Sequence, residues 1–186
     1  MSQIIFPHSK PTSFGEQRTL HLEYIAAYRF MWESEGALKA RYREFEVENL
    51  FGSILSLGEV DSFLDTKLAS QLISAVEGGP ITVTSTEIRR CGFNPWKISR
   101  RRLAVTDNGY AGLVPDVTVA GDVVVILDGV ATPFLLRKCP TLDKEDSGFV
   151  DGIEAYQLVG DAYIEGIMHG EALEGDDVEW KDIYIV

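Results

Sequence analysis

The sequence predicts an α+β fold, with N-terminal helices packed on a C-terminal small antiparallel β-barrel or coiled sheet. Three observations lead there. Apolar residues recur with a period near 3.6 between residues 20 and 76, and with a period near 2 from residue 80 onward. Between the two regimes stands Gly78-Gly79-Pro80, which ends a helix because glycine accepts a left-handed cap and proline cannot continue one. The later apolar runs are short, rich in β-branched and aromatic residues, and separated by glycine, proline, Asp or Asn.

Residues 1–18 carry turn formers without a period and are expected to be an irregular lead-in. Residues 19–79 make the helical segment and residues 80–186 the β domain, the two folding as one cooperative unit. From Leu20 to Glu35 the positions Leu22, Ile25, Tyr28 and Trp32 follow helical spacing, with Gly36 as the stop. A second helix is expected from Leu38 to Leu57, burying Tyr42, Phe45, Leu50, Phe51 and Ile54. Ser62 and Asp65 form a capping box ahead of a third helix whose face is Leu64, Leu68, Leu72, Ile73 and Val76. The strand runs are PITVTSTEI, RRLAVT, GYAGLVP, GDVVVILDG, TPFLLRK, AYQLVGDAYIEGIM and EWKDIYIV, with Asp128-Gly129 as a hairpin-turn signal.

At 186 residues, with 45% hydrophobic and 25% charged residues, the chain reads as an ordinary soluble globular protein. No apolar stretch approaches the roughly 20 residues needed to cross a bilayer, and the N-terminus lacks the basic and apolar regions of a signal peptide. Cys91 and Cys139 sit in no metal-spaced pattern and read as idle thiols, which places the chain in a cytoplasmic, reducing compartment. The net charge of −12 is uneven: residues 1–102 carry 13 Lys/Arg against 12 Asp/Glu, whereas residues 103–186 carry 4 against 17. An acidic half of that kind repels phosphates and disfavours nucleic acid as a partner of the whole protein.

Two stretches carry chemistry worth weighing. DKEDSGFVDGIE, residues 143–154, offers Asp143, Glu145, Ser147, Asp151 and Glu154 at calcium-loop positions, with Gly148 at the turn. An EF-hand needs a helix on each side, however, and here Pro140 precedes the loop and a strand-like run follows it. The second stretch, RRCGFNPWKISRRR, interleaves Arg89, Arg90, Arg100, Arg101 and Arg102 with Phe93 and Trp96. Arginines among aromatics grip phosphates and stack bases, but they also pair with acidic surface of the same molecule. Phosphate-loop, dinucleotide, nucleophile-elbow and zinc-helix signatures are absent from the sequence. Its histidines, His8, His21 and His169, do not suggest a metal site, and no cofactor is indicated.

From Thr106 onward a spaced signature runs through Gly109, Tyr110, Gly112, Leu113 and Pro115, then Gly121 and Asp122, then Gly129, Pro133, Leu135, Leu136 and Arg137. It ends with Tyr156, Leu158, Val159, Gly160, Tyr163, Gly166, Ile167, Met168, Gly170, Glu171 and Ala172. Over residues 100–173 this resembles the C-terminal region of fungal heterokaryon-incompatibility (HET-domain) proteins. The resemblance does not include the HET domain, so the chain is expected to be the C-terminal part alone, as a fragment or a natural truncation. Physically, the glycines open turns, Pro115 and Pro133 suit strand starts or edges, and Arg137 is expected to pair with Asp122 or Glu171.

The resemblance implies a non-enzymatic recognition or regulatory module, working by protein–protein contacts in non-self recognition or cell-death signalling. The alternative is a barrel that binds a nucleotide, RNA or another anionic ligand through Arg89, Arg90, Trp96 and Arg100 to Arg102. A hydrolase using Glu165, His169 and Glu171 is the remaining reading. In YIEGIMHGEAL, residues 163–173, Tyr163, Ile164 and Ile167 are expected to alternate along a strand. His169 is then exposed at the turn and Glu171 is tied to a basic or backbone partner.

Overall fold

A computed structural model describes residues 2–5, 25–42, 46–58, 70–71, 74, 77–80, 100–139, 154–174 and 178–186. Helix α1, described over residues 25–33, buries Ile25, Tyr28 and Met31, while Trp32 leans on Tyr28 with ring centroids 6.4 Å apart. It stops at Ser34, whose amide bonds back to the Phe30 carbonyl (3.0 Å), and α2 (Glu35–Arg41) restarts at once. Gly36 therefore lies inside a helix and is not the stop. The long helix expected from Leu38 to Leu57 is in fact two pieces, because α2 ends at Arg41 and α3 spans Val47–Ser56. Tyr42, at φ −105° and ψ 70°, leaves the helical conformation and sends its hydroxyl to the sheet, so a tertiary contact overrides the period.

Tyr42, Leu50, Phe51 and Ile54 are buried as their spacing predicts; Phe45 lies outside the described residues. Of the expected third helix, residues 70, 71 and 74 are helical, and its capping box and apolar face lie outside the described residues. Its stop does form: Gly78 takes φ 93° and the Gly79 amide reaches back to the Ser74 carbonyl at 2.8 Å.

The strands are β1 (Ser2–Ile5), β2 (Arg101–Val105), β3 (Ala111–Pro115), β4 (Val123–Val125), β5 (Phe134–Lys138), β6 (Glu154–Asp161), β7 (Tyr163–Ile164) and β8 (Ile183–Ile185). They form two four-stranded sheets, ordered β1-β2-β3-β7 and β4-β5-β6-β8. The fold is α+β, but the described strands do not close into a barrel. The sheets are joined where the chain runs from β6 into β7 through Ala162, whose amide bonds to the Pro133 carbonyl at 2.9 Å. A register shift between Leu135 and Leu136 marks an irregularity in the β5–β6 pairing, of the kind that sharpens the coiling of a sheet.

Three further expectations change. Residues 2–5, placed in the irregular lead-in, pair antiparallel with β2; so short a run has no periodicity of its own and becomes a strand through a long-range partner. β8 pairs with β6 in parallel, so the second sheet is mixed. Asp128-Gly129 does turn, with Gly129 at φ 74° and the Val130 amide on the Leu127 carbonyl. It sits inside a loop from residue 126 to 133, however, and not in a tight two-residue hairpin.

The first sheet is covered on both faces. Leu103, Val105, Ala111 and Leu113 join Tyr28, Leu50, Phe51 and Ile54 in one apolar cluster with the helices. The alternate residues Ala104 and Val114 join Leu135, Ala162, Ile164 and Ile167 in a second cluster toward the other sheet. Period-2 alternation in β2 and β3 thus sorts side chains between two buried interfaces. Glycine is required at Gly112, where a Cβ would run into the Tyr163 carbonyl across the β3–β7 pair.

Candidate functional site

β4 is the edge strand of the second sheet: β5 lies on one side, and among the described residues no strand pairs with the other. Its start is fixed by Asp122. The Arg137 guanidinium donates from Nε and from NH2 to the two Asp122 oxygens, each at 2.8 Å, and the Val119 amide donates to Oδ2 at 2.8 Å. The carboxylate is 1% exposed. Burial alone would raise its pKa, but the hydrogen bonds from Arg137 and Val119, with the Arg137 charge, hold it below the ordinary carboxylate value. Arg137 therefore meets Asp122, one of the two partners its sequence position suggests.

Beside β4 runs a groove of about 800 Å³. It is also lined by the β2–β3 turn, through Thr106, Asp107, Asn108 and Tyr110, and by Leu173 together with Val178 to Trp180. The turn is rigid: the Thr106 amide donates to the Tyr110 carbonyl (2.8 Å), and the Tyr110 amide to the Thr106 hydroxyl (3.0 Å). Gly109, at φ 80°, lets the turn touch α2, since a Cβ there would lie 2.6 Å from the Ala37 carbonyl oxygen. Arg41 of α2 stacks over the Tyr110 ring at 3.9 Å. Within the groove Val123, Leu173 and Trp180 remain 40%, 42% and 62% exposed.

The basic residues singled out from the sequence do not converge on this groove. Arg89, Arg90 and Trp96 lie outside the described residues. Arg100 is exposed, at a left-handed φ of 59°, and its carbonyl accepts from the Asp116 amide. Arg101 pairs with Asp161 at 2.6 Å, beside Tyr163 and His169 in a separate cleft of about 420 Å³. Arg102 donates to the Thr118 carbonyl at 3.4 Å.

Glu165, His169 and Glu171 also take separate roles. Glu165 accepts from the Ser53 hydroxyl (2.9 Å) and the Tyr163 hydroxyl (2.5 Å). Tyr42 donates to the Glu165 carbonyl (2.8 Å) and accepts from the Ala111 amide (3.0 Å), which completes a latch between helices and sheet. Burial pushes the Tyr42 hydroxyl up to about 12; the Ala111 amide opposes it, and the Glu165 charge adds a lesser push upward. Burial and the Glu165 hydrogen bond also raise Tyr163. His169 is exposed, and its amide donates to the Glu171 carboxylate at 2.7 Å. Backbone hydrogen bonds, its own amide's first, lower the Glu171 pKa. The strand holding Tyr163 and Ile164 ends there, and Ile167 is buried beyond a turn instead of continuing the alternation.

The calcium-like stretch 143–153 lies outside the described residues, but its flanks are strands β5 and β6. Its last position, Glu154, is bound to Lys138, Lys181 and Tyr156, which carry its pKa down to about 2. Among the described residues no group of His, Cys, Asp and Glu is arranged to hold a metal ion. No described helix is long and apolar enough to cross a membrane.

The sequence model of the Het-6 beta-barrel domain family matches residues 93–186, half of the chain. The chain belongs to the Het-6 beta-barrel domain family. The matched half contains β2 to β8 and every wall of the groove, so the Het-6 region is the part that builds the candidate site. Heterokaryon incompatibility protein 6, OR allele, of Neurospora crassa is 36% identical over 86 residues, which are 46% of this chain and 11% of that protein. The chain thus spans about a tenth of the curated relative it matches. No solved structure matches. The resemblance to heterokaryon-incompatibility proteins, drawn from the glycine-rich signature, is confirmed at the level of the family. In this Het-6 member the described strands form two joined open sheets, and the groove lies along the free edge of one of them.

Sequence reasoning missed Val123, Leu173 and Trp180. Only Trp180 left a signal, as a large aromatic in the acidic run EGDDVEW. Its run was expected to be a strand, yet the strand is confined to Ile183–Ile185.

Proposed function

We propose that this chain is a non-enzymatic recognition module of the heterokaryon-incompatibility type, acting by protein–protein contact in non-self recognition or cell-death signalling. The name of the Neurospora relative supplies the biological setting. The observation that carries the contact mechanism is the groove beside β4, where Val123, Leu173 and Trp180 leave apolar surface in water next to a strand edge that no described strand pairs. A surface of that kind gains free energy when a protein covers it.

The test expresses the chain in a filamentous fungus with a photo-crosslinking residue at position 180, in parallel with Val123→Arg and Trp180→Ala variants. The expected result is a discrete crosslinked protein, lost in Val123→Arg, and an altered incompatibility or cell-death reaction in both variants. If both variants fold normally and act as the wild type does, the reading is wrong.

A further inference from the structure

Resting on that recognition reading, we infer that the groove takes an extended, lysine- or arginine-bearing segment of a partner protein, added as a strand along the edge of β4 that no described strand pairs. An edge strand presents a row of amides and carbonyls that an extended peptide satisfies with its own main chain. β4 is held ready for this. The Asp122–Arg137 fork fixes its first residue, and pairing of Val123, Val124 and Val125 with Leu136, Leu135 and Phe134 fixes its register. Val124 packs toward the core between the sheets, while Val123 stays exposed in the groove. The Thr106–Tyr110 turn, which also lines the groove, is held against α2 through Gly109 and Arg41. The groove is therefore preorganised, which lowers the ordering cost of binding.

Charge selects the occupant. Among the described residues that line the groove, Asp107, Asp122 and Glu179 are acidic and none is a lysine, arginine or histidine. The Asp122 carboxylate is buried and neutralised by Arg137, so the exposed Glu179 is the carboxylate that an occupant meets. Residues 103–186, with 4 basic against 17 acidic side chains, extend the same sign over the surrounding surface. A strand alternating cations with apolar side chains would set the apolar ones against Val123 and Trp180 and the cations toward Glu179. An acidic strand would meet repulsion at the same place.

The experiment titrates the full chain into a fluorescently labelled short peptide alternating lysine with valine, and reads anisotropy. Saturable binding is expected, weakened about tenfold by Glu179→Lys and by Val123→Arg, and reduced by added salt. N-methylation of the peptide's alternate amides, which keeps the charge and removes strand pairing, is expected to abolish binding. Glu179→Lys is expected to improve binding of the matching glutamate–valine peptide. Glu179, Val123 and Trp180 are exposed, so an unchanged melting curve certifies each variant's fold, and Trp180→Ala serves as an independent groove variant. Equal binding of the lysine and glutamate peptides, or indifference to N-methylation, overturns the inference. So does failure of every peptide to bind; if position 180 still crosslinks a partner in a Val123-dependent way, the recognition reading survives that failure. Loss of both results removes the two together.

Discussion

The centre of the first sheet and the rim of the second treat apolar residues in opposite ways. In β2 and β3 the aliphatic side chains are shared between two buried clusters, one under the helices and one toward the second sheet. At the β4 rim, Val123 and Trp180 leave apolar surface in water. Burial of an aliphatic side chain stabilises by about 1.5–3 kcal/mol, so the centre holds the fold and the rim contributes little to it. The difference separates residues conserving structure from residues available for contact, and it predicts that substitutions in the two regions will have effects of different kinds.

The contrast breaks most completely at Gly112→Val. A side chain there collides with the Tyr163 carbonyl and with Ile164, both belonging to the β7 strand that pairs with β3. The expected outcome is loss of the cooperative unfolding transition, checked by circular dichroism during a thermal ramp. Retention of a wild-type transition would mean that β3 and β7 are not paired as described.

Next in size is Asp122→Asn. It removes the negative charge and puts an NH2 donor where one of the two accepting oxygens stood, facing an Arg137 donor and the Val119 amide, and is expected to cost about 2–3 kcal/mol in urea unfolding. Asp122 has a depressed pKa when folded, so its contribution is fully present above its ordinary value of 3.8 and is lost as the pH falls through the lower folded value. Wild type should therefore lose stability below about pH 4 more steeply than the Asn variant, by the linkage between proton uptake and unfolding. Parallel acid profiles for the two would show that the fork is not stabilising.

A smaller effect is expected for Tyr42→Phe, which leaves the Ala111 amide and the Glu165 carbonyl without the hydroxyl between them. The cost should be about 1–2 kcal/mol. Tyr42 is raised from 10.0 to about 12, so its contribution is present below pH 10 and is lost as the pH rises toward 12. Alkaline unfolding of wild type, followed by tyrosinate absorbance and far-ultraviolet circular dichroism, should include a step that the Phe variant lacks.

These residues show what could be read in advance. The α+β order was legible because the change of period at Gly78-Gly79-Pro80 is a local property of the chain, and the Gly78 cap forms as that composition implies. Arg137 was legible as one half of a pair because an arginine closing an apolar strand needs an acceptor. The Tyr42 break, the β1 strand and the parallel β8 were not legible, since each depends on a partner remote in sequence: Ala111, β2 and β6. The groove was hidden for the same reason. Its walls come from residues 106–110, 121–126, 172–173 and 178–180, and only the tertiary fold reveals that Val123 and Trp180 are left uncovered. The basic residues chosen from composition were drawn instead into local pairing, as with Arg101 and Asp161.

The smallest expected effect on stability sharpens the comparison most. Trp180→Ser removes the largest exposed apolar side chain of the groove, at 62% exposure, from a stretch that ends in the pairing of β8 with β6. Because little of that side chain is withdrawn from water on folding, the change should alter unfolding free energy by less than about 0.5 kcal/mol. Leu113→Ala, at a fully buried position of β3, should by contrast cost about 2–5 kcal/mol. If Trp180→Ser proved as costly as Leu113→Ala in the same urea titration, the rim would be part of the core and could not serve as a contact surface. A negligible loss of stability, combined with an altered incompatibility or cell-death reaction, is the result that assigns Trp180 to recognition.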